Sequence, residues 1–180
     1  LQAEQLGTGH AVKQGMRETP EQNQVLVLTG DAPLLTVSTL KRFVAEASSH
    51  EMAVLTVDKD DPSGYGRIVR HEGGVKCIVE QKDTTEEQHK ITEINSGVIL
   101  CPGDKLRGWL NNLDTDNSQG EYYLTDVIAM AVADKVIVHG IKAGNSVEVM
   151  GINDKKQLAE AERALQARLV DELMKEGVGF

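Results

Sequence analysis

The sequence has few aromatic residues and few cysteines, and both shortages limit what the chain can be. Only 3% of its 180 residues are Phe, Trp or Tyr, so its core must be built from aliphatic side chains. The two cysteines, Cys77 and Cys101, lie far apart and form no C-x-x-C pair, and the five histidines form no H-E-x-x-H motif. We therefore expect buried free thiols in a reducing cytoplasm, rather than a disulfide scaffold or a zinc site.

Positive charge and long apolar runs are also lacking. Nineteen Lys and Arg residues face 28 Asp and Glu residues, a formal net charge of −9, which argues against binding to nucleic acid or an anionic membrane. No apolar run approaches the roughly 20 residues of a membrane span, and no signal-peptide pattern opens the chain. A hydrophobic content of 40% is enough for the core of one domain.

Several common phosphate-binding and catalytic motifs are missing. The sequence contains no G-x-x-x-x-G-K-[ST] loop and no G-x-S-x-G nucleophile elbow. Gly7-Thr8-Gly9 does not follow a predicted strand, and Val12 stands where a third dinucleotide-binding glycine would be. These absences argue against a P-loop enzyme, a dinucleotide-binding fold and nucleophilic catalysis.

Apolar runs and amphipathic stretches alternate along the chain and predict one α/β unit with a parallel sheet in its first part. The first part is predicted as helix over about Gly9–Met16, strand Val25–Leu28, helix over about Ser38–Ser48 and strand Met52–Asp58. The second part is predicted as a hairpin over Arg67–Glu80, strand Glu93–Cys101, helices over about Asp104–Leu113 and Tyr122–Ala133, strands over Lys135–Ala143 and Ser146–Ile152, and a long helix over about Asp154–Glu176.

Polar side chains at the ends of two apolar segments are candidate metal ligands. Asp31 follows Val25–Leu28 and Gly30, at the sheet edge where α/β proteins bind ligands, and a carboxylate there suits Mg²⁺. The alternative is that Asp31 only caps the turn before Pro33. Asn153 follows the run that ends at Ile152 and could offer a neutral oxygen to the same cation, or could be an N-cap or turn residue.

Other candidates are weaker when taken one at a time. Gly66, in "GYGR", could expose a backbone N–H to a ligand, and Glu80 and Asn95 could bind sugar hydroxyls. Gln2 and Gln5, close to Gly7 and Thr8, could pair with a base edge. Each of them could equally be a loop or surface residue.

Seven segments, in this order and spacing, carry a family resemblance: "LQAEQLGTGHA", "LTGDAPLL", "DDPSGYGRIVR", "IVEQKDTTEEQ", "EINSGV", "GEYYLTDVIAMA" and "VEVMGIND". From Leu1 to about Leu165 the chain resembles the uridyltransferase (pyrophosphorylase) domain of the bacterial bifunctional N-acetylglucosamine-1-phosphate uridyltransferase/glucosamine-1-phosphate acetyltransferases.

The resemblance implies an α/β, Rossmann-like nucleotide-diphospho-sugar transferase fold, with a mostly parallel mixed sheet flanked by helices. It implies a cytoplasmic enzyme that converts UTP and N-acetylglucosamine 1-phosphate into UDP-N-acetylglucosamine and pyrophosphate, for peptidoglycan and lipopolysaccharide precursors and hence cell shape. By the match, Asp31 and Asn153 hold Mg²⁺, and the remaining substrate-binding residues are Gln2, Gln5, Gly7, Thr8, Thr29, Gly30, Gly66, Glu80 and Asn95.

The family pattern also contains parts that residues 1–180 do not. Family members begin with a strand and a glycine-rich loop of the type L-A-A-G-x-G-T-R-M, followed by a lysine, and they continue into a trimeric β-helix with the acetyltransferase. We therefore expect a partial domain that lacks the first strand, is inactive alone and can self-associate. The alternatives are a non-catalytic UDP-sugar-binding or self-associating module, and a related pyrophosphorylase for another sugar.

Overall fold

The computed structural model describes residues 2–20, 23–47 and 52–179. Within these ranges six strands form one sheet, and five α-helices and four short 3₁₀ turns surround it. The strands are β1 (Gln24–Val27), β2 (Met52–Asp58), β3 (Arg67–His71), β4 (Gly74–Val79), β5 (Glu93–Pro102) and β6 (Val138–Lys142). The helices are α1 (Thr8–Gly15), α2 (Val37–Glu46), α3 (Gly103–Asn111), α4 (Asp126–Ala133) and α5 (Lys155–Lys175).

The sheet is mixed, as predicted, but most of its neighbouring strands are paired in the antiparallel orientation. The strand order is β4-β3-β5-β2-β6, and β1 pairs with the last four residues of β5. Strand β5 runs opposite to β1, β2 and β3, whereas β2 and β6 are parallel. Four of the six described strands therefore point the same way, and the insertion of β5 between them makes most of the hydrogen-bonded pairs antiparallel.

Both faces of the central strands are buried, which explains their continuous apolar runs. Along β2, Met52 and Val54 face one hydrophobic cluster, and Ala53, Leu55 and Val57 face the other. The first cluster includes side chains of α3 and α4, and the second includes Phe43 of α2. The sheet is thus the middle layer between two layers of helices and turns.

Several predicted elements differ from the structure. The predicted strand Ser146–Ile152 is wrong, because the Asn145 side chain accepts from Val147 N at 2.9 Å and starts a 3₁₀ turn over Ser146–Val149. The helix predicted from Tyr122 begins at Asp126. The helix predicted from Ser38 begins at Val37, and its predicted last residue, Ser48, lies outside the described residues.

Helix α5 is the longest element, and most of its leucine stripe is exposed. Asp154 caps it by accepting from Gln157 N at 2.7 Å. Ala161 is buried, but Leu158, Leu165, Leu169 and Leu173 are 39–53% exposed. Arg168 anchors the helix by donating to Leu34 O at 3.0 Å. None of the described helices is both long and apolar enough to cross a membrane.

Both cysteines are free thiols, but only Cys101 is buried as predicted, whereas Cys77 on edge strand β4 is half-buried. Cys101 lies in β5, where burial raises the pKa of its thiol to about 12, so it is inert near neutral pH.

Candidate active site

A cavity of about 590 Å³ lies at the C-terminal end of β1. Its wall comes from the end of β1, the loop before β3, the centre of β5, the start of α1 and the loop before α5. Eight of the eleven predicted site residues line it: Thr8, Thr29, Gly30, Asp31, Gly66, Glu80, Asn95 and Asn153. Residues as far apart in sequence as Thr8 and Asn153 therefore share one concave surface.

Asp31 and Asn153 line the cavity and are both exposed, and we call this part of the cavity its open end. A loop hydrogen bond brings them together, since Ile152 N donates to Asp31 O at 2.9 Å. Gly151 lies between the two side chains: a Cβ at this position would be 3.3 Å from Asp31 Oδ2 and 4.0 Å from Asn153 Nδ2. Gly151 has no signal in the sequence beyond its place in "MGIND" and was not among the predicted site residues.

The structure excludes one of the local alternatives for Asn153, the N-cap. The N-cap of α5 is Asp154, and Asn153 contributes only its backbone N–H, which donates to Gln157 Oε1 at 2.6 Å. The side chain of Asn153 therefore does not cap the helix. The carboxylate of Asp31 likewise accepts no hydrogen bond from the described residues and remains available to a ligand.

A bend in β5 shapes the middle of the cavity. The Asn95 side chain accepts from Gly97 N at 2.9 Å, which leaves its Nδ2 without a partner among the described residues. Gly97 has a φ of 80°, and a Cβ there would be 2.4 Å from the Thr29 methyl carbon. This glycine lets Thr29 pack against β5 and turns Asn95 towards the ligand space.

Glu80 also lines the cavity but is half-buried rather than exposed, and we call the part of the cavity around it the closed end. Its Oε1 accepts from the Thr125 hydroxyl at 2.9 Å, and its Oε2 lies near Gly66, 3.4 Å from where a Cβ would be. Burial raises the pKa of Glu80 and so does nearby Asp83, while the Thr125 hydrogen bond lowers it. Thr125 was missed in the sequence because it stands in a segment predicted to be helical.

Three predicted site residues do not line the cavity: Gln2, Gln5 and Gly7. Gln2 is hydrogen-bonded to His10 Nδ1 at 3.0 Å, and Gln5 is exposed. Gly7 has a φ of 106°, and a Cβ there would be 2.7 Å from Tyr122 O. The geometry thus gives Gly7 a packing role at the start of α1, beside Thr8, which does line the cavity.

Comparisons with known proteins decide the family. The model of the MobA-like NTP transferase domain matches residues 2–119, about two thirds of the chain. The chain belongs to the MobA-like NTP transferase family.

Relatives of this NTP transferase include the "Bifunctional protein GlmU" of Pseudomonas paraeruginosa (strain DSM 24068 / PA7) and of Pseudomonas aeruginosa (strain LESB58). Each is 51% identical over 179 residues, which confirms the family resemblance stated from the seven segments. The match covers 99% of this chain but only 39% of the length of either relative.

Solved structures confirm the fold of the NTP transferase. UDP-glucose pyrophosphorylase, complexed with UDP-glucose or in its apo form, superposes with a TM-score of 0.67 at 18% identity. The superposition covers 93% of this chain and 64% or 62% of the pyrophosphorylase. At this identity the likeness shows a shared nucleotide-sugar pyrophosphorylase fold.

The donor set of this NTP transferase limits which metal it could hold. No group of three His, Cys, Asp or Glu side chains within the described ranges could bind a metal ion. Asp31 and Asn153 would supply one carboxylate and one amide. This set fits Mg²⁺, which takes one or two protein ligands and completes its shell with water and substrate phosphates.

Proposed function

We propose that this chain is the nucleotidyltransferase part of an enzyme that makes UDP-N-acetylglucosamine and pyrophosphate from UTP and N-acetylglucosamine 1-phosphate. One observation carries the proposal: a single cavity joins an open end with a free carboxylate to a closed end with hydrogen-bonding groups suited to a sugar. The 51% identity to proteins named bifunctional GlmU supports it.

The open end would hold the phosphates. Asp31 and Asn153 would bind Mg²⁺, which supplies charge neutralisation to the phosphates when bound. An oxygen of the sugar phosphate attacks the α-phosphorus of UTP in line, and the bond to pyrophosphate breaks. Little covalent work falls to the protein, so its residues act by holding both substrates in position.

The closed end would hold the sugar. Glu80 Oε2 accepts a hydrogen bond from a sugar hydroxyl, and Asn95 Nδ2 donates one. Gly66 presents backbone to the acetamido group, and a side chain at this position would meet Ile78 at 2.9 Å and fill the space. Thr8, Thr29 and Gly30 line the nucleotide side, and Gln2, Gln5 and Gly7 would reach the uracil only if the N-terminal segment moves on binding.

The wider setting is part of the same proposal. The product would feed peptidoglycan and lipopolysaccharide precursors in the cytoplasm and so affect cell shape. Residues 1–180 would form part of a uridyltransferase domain whose parent protein is trimeric through a separate β-helix. Alone, the chain would be inactive, because residues 1–180 contain neither the glycine-rich loop nor the lysine expected to bind the triphosphate.

The test is pyrophosphate release from UTP and N-acetylglucosamine 1-phosphate with Mg²⁺. It compares the 180-residue chain, the chain extended by the glycine-rich segment, and the extended chain with Asp31→Ala or Asp104→Ala. We expect activity in the extended chain, a loss of at least a hundredfold with Asp31→Ala, and little change with Asp104→Ala, which is exposed on α3 outside the cavity. An inactive extended chain would refute the assignment.

Running the same assay with glucose 1-phosphate separates the proposal from a pyrophosphorylase for another sugar. Activity with glucose 1-phosphate that equals or exceeds activity with the N-acetylated sugar would favour that second function. Binding of UDP-sugar by the extended chain without pyrophosphate release would favour a non-catalytic module.

A further inference from the structure

Arg67, the first residue of β3, is a buried charge that the reaction above does not use. It is 1% exposed and is the largest of the fully buried side chains in the described ranges. Its three hydrogen-bond acceptors are neutral oxygens: Pro62 O at 2.7 Å, Tyr65 O, and Gln81 Oε1 at 2.7 Å. Burying a guanidinium on neutral hydrogen-bond partners is costly even with the Asp61 carboxylate nearby, so its position calls for a reason beyond packing.

These acceptors belong to two segments that lie side by side at the closed end of the cavity, since Arg67 of β3 pairs with Val79 of β4. Pro62 and Tyr65 lie in the loop that contributes Gly64, Tyr65 and Gly66 to the cavity wall. Gln81 directly follows Glu80, which lines the cavity beside Gly66. Arg67 therefore ties the Pro62–Gly66 loop to the backbone that carries Glu80.

Gln81 strengthens the same connection. Its Oε1 also accepts from Gly64 N at 3.2 Å, so one amide oxygen holds both the loop and the guanidinium. Its Nε2 is hydrogen-bonded to His89 Nε2 at 3.1 Å, which fixes the amide with its oxygen towards Arg67. On the other side of the loop, Asn95 N donates to Gly66 O at 2.9 Å.

We propose that Arg67 and Gln81 are positioning residues for sugar recognition: they hold the Pro62–Gly66 loop so that Gly66 and Glu80 face the same sugar. The identity of the sugar rests on the proposed function, whereas the loop attachment does not. If these residues were merely structural, replacing them would weaken the binding of every ligand alike. If they position the sugar site, replacing them weakens only the contacts made with the sugar half of the ligand.

Calorimetric titration of the 180-residue chain with UDP-N-acetylglucosamine and with UDP, both with Mg²⁺, separates these roles. Gln81→Met keeps the side-chain length but removes the acceptor, Gln81→Glu keeps an acceptor, and Gln88→Met is the matched control on the same segment, outside the cavity. We expect Gln81→Met to lower the affinity for UDP-N-acetylglucosamine at least tenfold and the affinity for UDP less than twofold. Gln81→Glu and Gln88→Met should stay within threefold for both ligands.

Hydrogen–deuterium exchange of the unliganded variants gives a second readout. Peptides covering 58–66 should exchange faster in Gln81→Met than in the unchanged chain, while peptides from β5 should not. Three results for Gln81→Met would each overturn the proposal. These are an equal loss of affinity for both ligands, unchanged affinities, and unchanged hydrogen–deuterium exchange in residues 58–66. Equal affinity of the unchanged chain for UDP and UDP-N-acetylglucosamine would instead refute the proposed function, and the exchange data would still decide whether Gln81 holds the loop.

Discussion

At Gly151, a single added methyl group would reach the carboxylate on which the proposed reaction depends. The Cβ of Gly151→Ala would lie 3.3 Å from Asp31 Oδ2, inside the space needed by a cation and its water ligands. We expect this variant to lose at least tenfold in kcat/KM in the extended chain and to require more Mg²⁺ for half-maximal rate. Gly144→Ala is the matched control, because no atom lies within 4 Å of its added Cβ; equal effects of the two changes would contradict the assignment.

The Thr125 hydroxyl both orients the Glu80 carboxylate and favours its ionised form. Thr125 is 6% exposed and donates to Glu80 Oε1 at 2.9 Å, which lowers a pKa that burial has raised. Thr125→Val removes the donor while keeping the shape, so the Glu80 pKa should rise further. Affinity for UDP-N-acetylglucosamine should then be lost at a higher pH than in the unchanged chain as the pH is lowered.

A titration of affinity against pH, followed by calorimetry, checks this. Thr125→Ser should restore the original midpoint because it keeps the donor. A midpoint that does not move in Thr125→Val would mean that Glu80 does not bind the ligand in its ionised form.

Among the elements, β5 depends most on one glycine. Gly97→Ala would force a side chain into a φ of 80° and place its Cβ 2.4 Å from the Thr29 methyl carbon. We expect a loss of about 1–3 kcal/mol in the free energy of unfolding, which lowers Tm by several degrees in a domain of this size. Ligand affinity should also fall, because the added Cβ would displace Thr29 and Asn95, which both line the cavity.

The matched change is Gly108→Ala, at an exposed position of α3 with no atom within 4 Å of the added Cβ. It should raise stability by about 0.5–1 kcal/mol, because alanine favours helix. Thermal unfolding of both variants measures the two effects, and a harmless Gly97→Ala would show that the bend does not need glycine.

How well each element can be predicted depends on how local its cause is. Strand β2 was predicted with its correct ends, because a strand buried on both faces gives an unbroken apolar run. The turn over Ser146–Val149 was mistaken for a strand, because its apolar residues alternate like a strand and the deciding contact is one Asn145 side chain. The leucine stripe of α5 correctly predicted a helix. It did not predict whether the leucines are buried, because that depends on what packs against the helix.

Whether a site residue can be predicted from the sequence also depends on how local its cause is. Asp31 and Asn153 could be singled out as polar residues that follow apolar runs, but their meeting at Gly151 depends on the whole fold. No local signal marks Thr125, Gly151 or Arg67. Their roles arise only from contacts with residues 30 to 120 positions away, or with a loop whose path the sequence does not reveal.

For the whole molecule, pH should matter through a group of acidic residues behind the closed end. Burial, helped by Asp114, Glu80 and Asp83, raises the pKa of Asp126 to about 6. The folded state therefore holds this proton more tightly than the unfolded state, and stability falls as pH rises from about 4 to 6. Because the side chain is only half-buried, solvent screening reduces the effect to about 1 kcal/mol.

Asp126→Asn should therefore raise Tm by a few degrees at pH 7 and change it little at pH 4. Asp104→Asn, at the exposed first turn of α3, controls for the loss of one negative charge. A gain in Tm that is the same at both pH values would contradict the proposed cause.

Strand β1 leads into the loop that carries Asp31, yet among the described residues it pairs with β5 alone, and all four of its residues are only half-buried. Such a strand is the part of a sheet that opens first in local fluctuations. A cation and nucleotide bound to Asp31 and, through Ile152, to the loop before α5 would then close that opening and slow the exchange of the β1 amides far more than those of β2. The ligand would thus complete the structure of the strand that holds it.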